Sequence, residues 1–387
     1  MTRLNLLTKS GQPERYTLEG VRTWKAPEKA AFNRVVYSAA HVVADPRQSH
    51  DPWESPAIDW DATLRYRERL FGLGLGVAEA MDTAQRGMGL DWPTSLELIR
   101  RSVAMSSDYP GALVASGAGT DQLSLLQPLT LEAVSAAYEE QVAAIEAAGG
   151  RLILMASRAL AAVARSSDDY ELVYGKILQQ TREPVILHWL GEMFDPALAG
   201  YWGTNSVDEA MNICLRVIEQ NVGKVDGIKI SLLDKEKEVA MRRRLPASVK
   251  MYTGDDFNYP ELIEGDRLGY SHALLGIFDA IAPAASSALQ ALAAGDNARF
   301  NAILAPTLPL SRHIFSAPTR FYKSGVVFLA WLNNHQNHFT MVGGQQSARD
   351  AIHYSELFRL ADKAALFDDP ALAASRMHQF MAVQGVE

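Results

Sequence analysis

Between Arg34 and Leu275 the chain alternates short apolar runs, rich in Val, Ile and Leu, with longer stretches whose apolar residues recur every three or four positions. Short apolar runs bounded by turn-forming residues read as strands, and the longer period reads as amphipathic helix. The strand candidates are Arg34–Val43, Gly76–Met81, Gly111–Ser116, Arg151–Ala156, Pro184–Trp189, Asp226–Ser231, Ser248–Thr253 and Leu268–Leu275. Between them lie helical patterns at Trp60–Leu73, Thr94–Ser106, Leu131–Ala148, Asp169–Thr181, Ser206–Asn221 and Asp234–Arg244, several with Ser, Thr or Asp in capping position. Eight strands alternating with helices predict an α/β protein built as a (β/α)8 TIM barrel. The alternative, an open doubly wound sheet, would carry a glycine-rich phosphate turn after the first strand, where this chain reads S-A-A-H-V-V-A-D-P.

Beyond the eighth strand the rhythm becomes purely helical, with amphipathic patterns at Asp279–Ala294, Asp296–Phe315, Pro318–His335, Ser347–Phe367 and Pro370–Val383. The expected organisation is an N-terminal extension over 1–32 with room for a small hairpin, a barrel over 33–315 and a C-terminal helical annex over 316–387. Composition narrows the setting. The single cysteine, Cys214, excludes a disulfide framework and a cysteine-based metal cage, and it fits a reducing compartment, so the cytoplasm is expected. The opening M-T-R-L-N-L-L-T-K-S-G is too short and polar for an export signal, and no apolar run reaches bilayer length, so no membrane partner is expected. A formal net charge of -8 argues against a nucleic-acid partner, and the one basic cluster, Met241–Arg244, follows Lys235–Glu238 as a solvated helix end would.

The chemistry centres on V-D-G-I-K-I-S-L-L-D, Val225 to Asp234. A lysine inside an apolar strand is costly to keep charged, and a desolvated lysine is a nucleophilic amine able to form a Schiff base with a carbonyl. A strand-end lysine pointing into solvent is the plainer alternative for Lys229. In a barrel the reactive groups gather at the carboxyl ends of the strands. There the chain offers His41 and Asp45, then Glu79, Asp82, Thr83 and Arg86, then His188, Trp189 and Glu192, then Lys229, Asp255, Asp256, Ser271 and His272. A lysine, two histidines and several carboxylates on one rim suit proton transfer around a carbonyl carbon.

Four motifs, P-V-I-L-H (Pro184–His188), D-G-I-K-I-S (Asp226–Ser231), Y-T-G-D-D (Tyr252–Asp256) and G-Y-S-H-A-L-L-G (Gly269–Gly276), occur in this order with a helix pair behind them. Across roughly Asn33 to Leu366 the chain thereby resembles the dihydrodipicolinate synthase and N-acetylneuraminate lyase family of class I aldolases. The resemblance implies a barrel with a helical annex, a Schiff-base lysine at Lys229, a small-molecule carbonyl substrate such as a 2-oxo acid, a homo-oligomer, and no metal or other cofactor. Gly254, Asp255 and Asp256 fall on the family's turn after its seventh strand, and Pro318 to Trp331 resembles its annex helix. His188 stands where the family has a tyrosine proton relay, and imidazole can shuttle protons nearer neutral pH. The family's substrate-carboxylate turn after its second strand is replaced by Met81-Asp82-Thr83-Ala84-Gln85-Arg86-Gly87, and its fourth-strand tyrosine motif by Ala156-Ser157-Arg158-Ala159.

The leading expectation is a lyase in which Lys229 and His188 are catalytic, while Asp82, Thr83, Arg86, Arg158, Gly254, Asp255 and His272 bind substrate. The acid-rich rim points to a polyhydroxylated substrate, such as a keto-sugar or sugar acid, more than to a bare oxo acid. The alternative is a metal-dependent sugar isomerase or epimerase using Glu79, Asp82, His188, Glu192, Asp255 and His272 as ligands, although no tight pair such as H-x-x-x-H occurs among them. A non-catalytic barrel is the third reading, favoured if Lys229 is salt-bridged to Asp255. His335 and His338, in N-N-H-Q-N-H, are expected to cap a helix or line an interface, and Trp189 and Trp202 could stack on a sugar face.

Overall fold

The computed structural model describes residues 3–28 and 30–386. Strands β1 (Arg3–Leu7) and β2 (Pro13–Thr17) form an antiparallel hairpin. Eight parallel strands follow: β3 (Val36–Ala39), β4 (Gly76–Glu79), β5 (Val114–Ala118), β6 (Arg151–Met155), β7 (Val185–Leu190), β8 (Val225–Ser231), β9 (Lys250–Thr253) and β10 (His272–Leu275). Each pairs with the next, and β10 closes on β3, which gives the expected (β/α)8 barrel. Apolar runs such as V-I-L-H-W-L in β7 are buried throughout, as strands covered on both faces must be. The intervening helices start where capping predicts: Asp91 accepts from Thr94 N–H, Thr130 from Ala133 N–H and Asp234 from Lys237 N–H.

Contacts divide the chain into two compact units. One holds Arg34–Ala40 and Leu75–Gly276, and so contains all eight barrel strands. Its interior is filled by side chains from alternate positions, among them Tyr37, Ile153, Met155, Ile186, Tyr252 and Leu274. The other unit holds the rest of the described residues, including the hairpin, the helix Trp60–Gly72 and the helices after β10. Within it the hairpin docks on the helix Ala351–Lys363, where Leu7 N–H donates to Ser355 Oγ at 3.1 Å and Tyr16 Oη donates to Asp362 Oδ2 at 2.7 Å. Among the described residues no strand follows Leu275, and no helix is long and apolar enough to cross a membrane. The single helix expected over Asp296–Phe315 is two, Asn297–Leu304 and Thr307–Ile314. Pro306, which lacks an N–H for the helical ladder, sits at the break.

Candidate active site

β8 carries the site because alternate residues of a strand share a face, which puts Gly227, Lys229 and Ser231 on one side. Lys229 lies opposite His188 of β7 and Tyr252 of β9 in the strand register. Two positions without side chains make room here, Gly227 for the Tyr252 ring and Gly254 for the lysine. A Cβ on Gly227 would meet the Tyr252 ring at 2.6 Å, and one on Gly254 would meet Lys229 Cε at 2.8 Å as well as Ser231 Oγ. Gly254 thus frames the lysine by leaving space for it. The Tyr252 and Tyr37 rings, with centroids 6.1 Å apart, belong to the core that fills the barrel.

Lys229 is 7% exposed, and among the described residues its amine has no hydrogen bond or ion pair. Burial pulls its pKa below the usual lysine value, while the charges of Asp256 and, more weakly, Asp82 pull the other way. His188 is buried beside it, with Nε2 3.3 Å from Ser231 Oγ and Nδ1 without a partner among the described residues. Burial, reinforced by the Lys229 charge, drives the imidazole well below its ordinary pKa, so it is neutral near pH 7. An amine with a depressed pKa next to a neutral imidazole is the pair that carbonyl addition and proton relay require.

His188 opens onto a cavity of about 140 Å³ whose lining also includes Asp82, Arg86, Thr120, Ser157 and Arg158, while Lys229, opposite His188 in the strand register, is not itself among the lining residues. Both arginines therefore lie at one mouth with His188. Their states differ. Arg86 donates through Nε to Asp121 at 3.0 Å, through Nη1 to the carbonyls of Gly117 at 2.7 Å and Ala80 at 3.4 Å, and through Nη2 to Gln141 at 2.7 Å and to Asp121. All five of its N–H groups are engaged, so the expected substrate contact is replaced by a strut that braces the loops after β4 and β5. Arg158 donates through Nε to Asp195 and through Nη1 to Gly87 O at 3.4 Å, which leaves Nη2 open at the cavity.

Asp82 begins a short 3-10 turn between Ala80 at φ 51° and Gln85 at φ 69°, left-handed conformations uncommon outside glycine and characteristic of functional loops. Thr83, in the same turn, is buried and does not line the cavity. Asp255 does not reach toward substrate. Its carboxylate accepts from Phe257 N–H at 2.8 Å and from Asn258 N–H and Nδ2, folding back on its own turn. It makes no ion pair with Lys229, and Asp256 is the carboxylate that acts on the lysine. His272 is removed from the mouth altogether. It opens β10, its Nδ1 accepts from Val35 N–H at 2.9 Å, and its charged surroundings are Lys250, Arg34 and Asp226, all at the amino ends of strands. Trp189 and Trp202 are buried, Trp202 among Tyr170, Tyr174 and Tyr201, so neither is open to a sugar face.

Ser231, Asp121, Gln141 and Asp195 went unread in the sequence. Ser231 had a signal, being two residues beyond Lys229 on the same strand face. The other three act across loops distant in sequence and had none. Among the described residues no group of three or more His, Cys, Asp or Glu is arranged to hold a metal ion, so the six ligands of the isomerase reading do not assemble.

A family model described as "Protein of unknown function (DUF993)" matches residues 4–386. No curated protein matches the sequence. Solved dihydrodipicolinate synthases share the fold. The enzyme from Aquifex aeolicus is 12% identical with a TM-score of 0.64, over 87% of this chain and 100% of that one. DapA-2 from Bacillus anthracis is 15% identical with a TM-score of 0.62, over 88% and 100%. The chloride-inhibited enzyme from Acinetobacter baumannii, complexed with pyruvate, is 14% identical with a TM-score of 0.61, over 87% and 100%.

Proposed function

We propose, for a chain that belongs to the DUF993 family and folds like the dihydrodipicolinate synthases, that it is a class I aldolase or lyase acting through a Schiff base at Lys229. The observation that carries this reading is the lysine itself: buried inside the barrel, unpaired, and lowered in pKa by desolvation beside a neutral imidazole. The free amine attacks a carbonyl carbon and water leaves; in the cleavage direction the resulting iminium takes up the electron pair of the Cα–Cβ bond as it breaks, leaving an enamine, and in the synthetic direction that enamine donates the pair to an electrophilic carbon. His188 moves the protons, with Ser231 Oγ beside its Nε2. The substrate is a small carbonyl compound, a 2-oxo acid or keto-sugar, which fits a cavity equal to about five waters' share of liquid volume. Arg158, with Nη2 unengaged, binds the anionic or hydroxylated end of that substrate.

Borohydride reduction in the presence of pyruvate or a keto-sugar acid tests the reading. A stable secondary amine is expected, visible as a mass increase on the peptide carrying Lys229. Lys229→Arg keeps the charge and loses the nucleophile, so it is expected to abolish both trapping and turnover. Trapping that persists in Lys229→Arg would sink the proposal.

A further inference from the structure

The N-N-H-Q-N-H segment that the aldolase reading leaves without a role lines a second cavity, of about 220 Å³, within the unit that holds the C-terminal helices. Asp45, Arg47, Asp59, Arg65, His335 and Gln336 are among its lining residues, and none of its lining residues lines the cavity at His188. Gln336 is the most telling of them. It is 3% exposed, its Nε2 donates to His338 O at 2.6 Å, and its Oε1 has no partner among the described residues. A buried amide oxygen left without a donor is costly, and a ligand hydroxyl placed in the cavity would satisfy it.

The remaining groups supply donors and acceptors in alternation. Asp59 caps the helix Trp60–Gly72 by accepting from Ala62 N–H at 2.9 Å through Oδ1, and its Oδ2 has no hydrogen-bond partner among the described residues. Arg65 is exposed and likewise makes no hydrogen bond or ion pair there. Asn334 uses Oδ1 to accept from Arg376 Nη2 at 2.7 Å, which leaves its amide N–H groups to point outward from that bond. The two carboxylates balance the two guanidiniums in charge. Burial holds His335 at a pKa of about 4 and lowers that of His338, so both imidazoles are neutral at pH 7. A lining with no net charge gives no preference to an ion. The volume corresponds to about seven waters' share of liquid, which a compact molecule with several hydroxyls would fill.

We infer that this cavity binds a small, neutral, polyhydroxylated molecule, a polyol or a monosaccharide, whose hydroxyls each donate to one lining group and accept from another. The inference stands apart from the Schiff-base reading.

Ligand-observed NMR and titration calorimetry on the full chain test it, with sorbitol and glucose as neutral probes and glucosamine and gluconate as charged analogues of similar size. Saturable binding of a neutral probe is expected, with the charged analogues weaker. Arg65→Ala and Gln336→Met are each expected to weaken that binding roughly threefold to tenfold, whereas Lys229→Arg leaves it unchanged. Arg65 is exposed, so its variant carries the test even if Gln336→Met fails to fold by circular dichroism. The inference is overturned if no neutral probe saturates, if a charged analogue binds more tightly, or if binding vanishes in Lys229→Arg and survives in Arg65→Ala.

Discussion

Two arginines at one mouth separate the support of a site from its chemistry. Arg86 is almost fully buried with every donor engaged, so Arg86→Met strands Asp121 and is expected to cost about 3 kcal/mol or more in stability by urea denaturation. Arg158 is half-exposed, and Arg158→Met is expected to raise KM sharply while lowering stability by less than about 1 kcal/mol. Equal stability losses in the two variants would remove the distinction. Gly254→Ala presses a methyl group against Lys229 Cε and Ile230 O, so turnover is expected to collapse, at a stability cost of about 1–3 kcal/mol. Lys229 and His188 were legible because a lysine and a histidine inside buried strands are anomalies of residue type. The engagement of Arg86, the inward folding of Asp255 and the position of His272 were not. Each depends on which neighbour a side chain meets across a loop or at which end of a short strand it falls, and residue type carries neither fact.

At the scale of elements, the helix Lys235–Arg242 controls the turn after β9 through one buried acid. Glu238 accepts from Ser271 Oγ at 2.7 Å and from Thr253 Oγ1 at 2.9 Å. Burial raises its pKa to about 8, against the two hydroxyl bonds, which lower it. The folded state therefore holds a proton that the unfolded chain releases near pH 4.5. The stability from this group is fully present below that value and is lost as pH rises toward 8, at up to about 1.4 kcal/mol per pH unit. Chemical denaturation of Glu238→Gln should show that slope flattened between pH 5 and 8; an unchanged slope would mean that the acid is charged in the folded state. The eight strands and the longer helices of the barrel were legible, since short continuous apolar runs and period-3.6 patterns differ plainly. The helices Arg158–Val163 and Tyr259–Glu264 were missed, because six residues are too few to display a period.

At the scale of the whole molecule, the parallel barrel was legible from the alternation of strands and helices, whereas the partnership of distant segments was not. Tyr16 Oη, Glu19 N–H and Gly20 N–H all donate to the carboxylate of Asp362. Asp362→Ala is expected to free this segment to limited proteolysis, with cleavage between residues 8 and 20 several times faster than in the unaltered chain, and equal rates would show that the hairpin is held by its apolar side chains alone. The same carboxylate sets a timetable for biosynthesis. Ribosomes add about 5–20 residues per second, so the hairpin waits on the order of half a minute for the helix that receives it. All eight barrel strands are translated after the hairpin and before the helix Ala351–Lys363, so the nascent chain carries an unmated hairpin through the synthesis of the whole barrel.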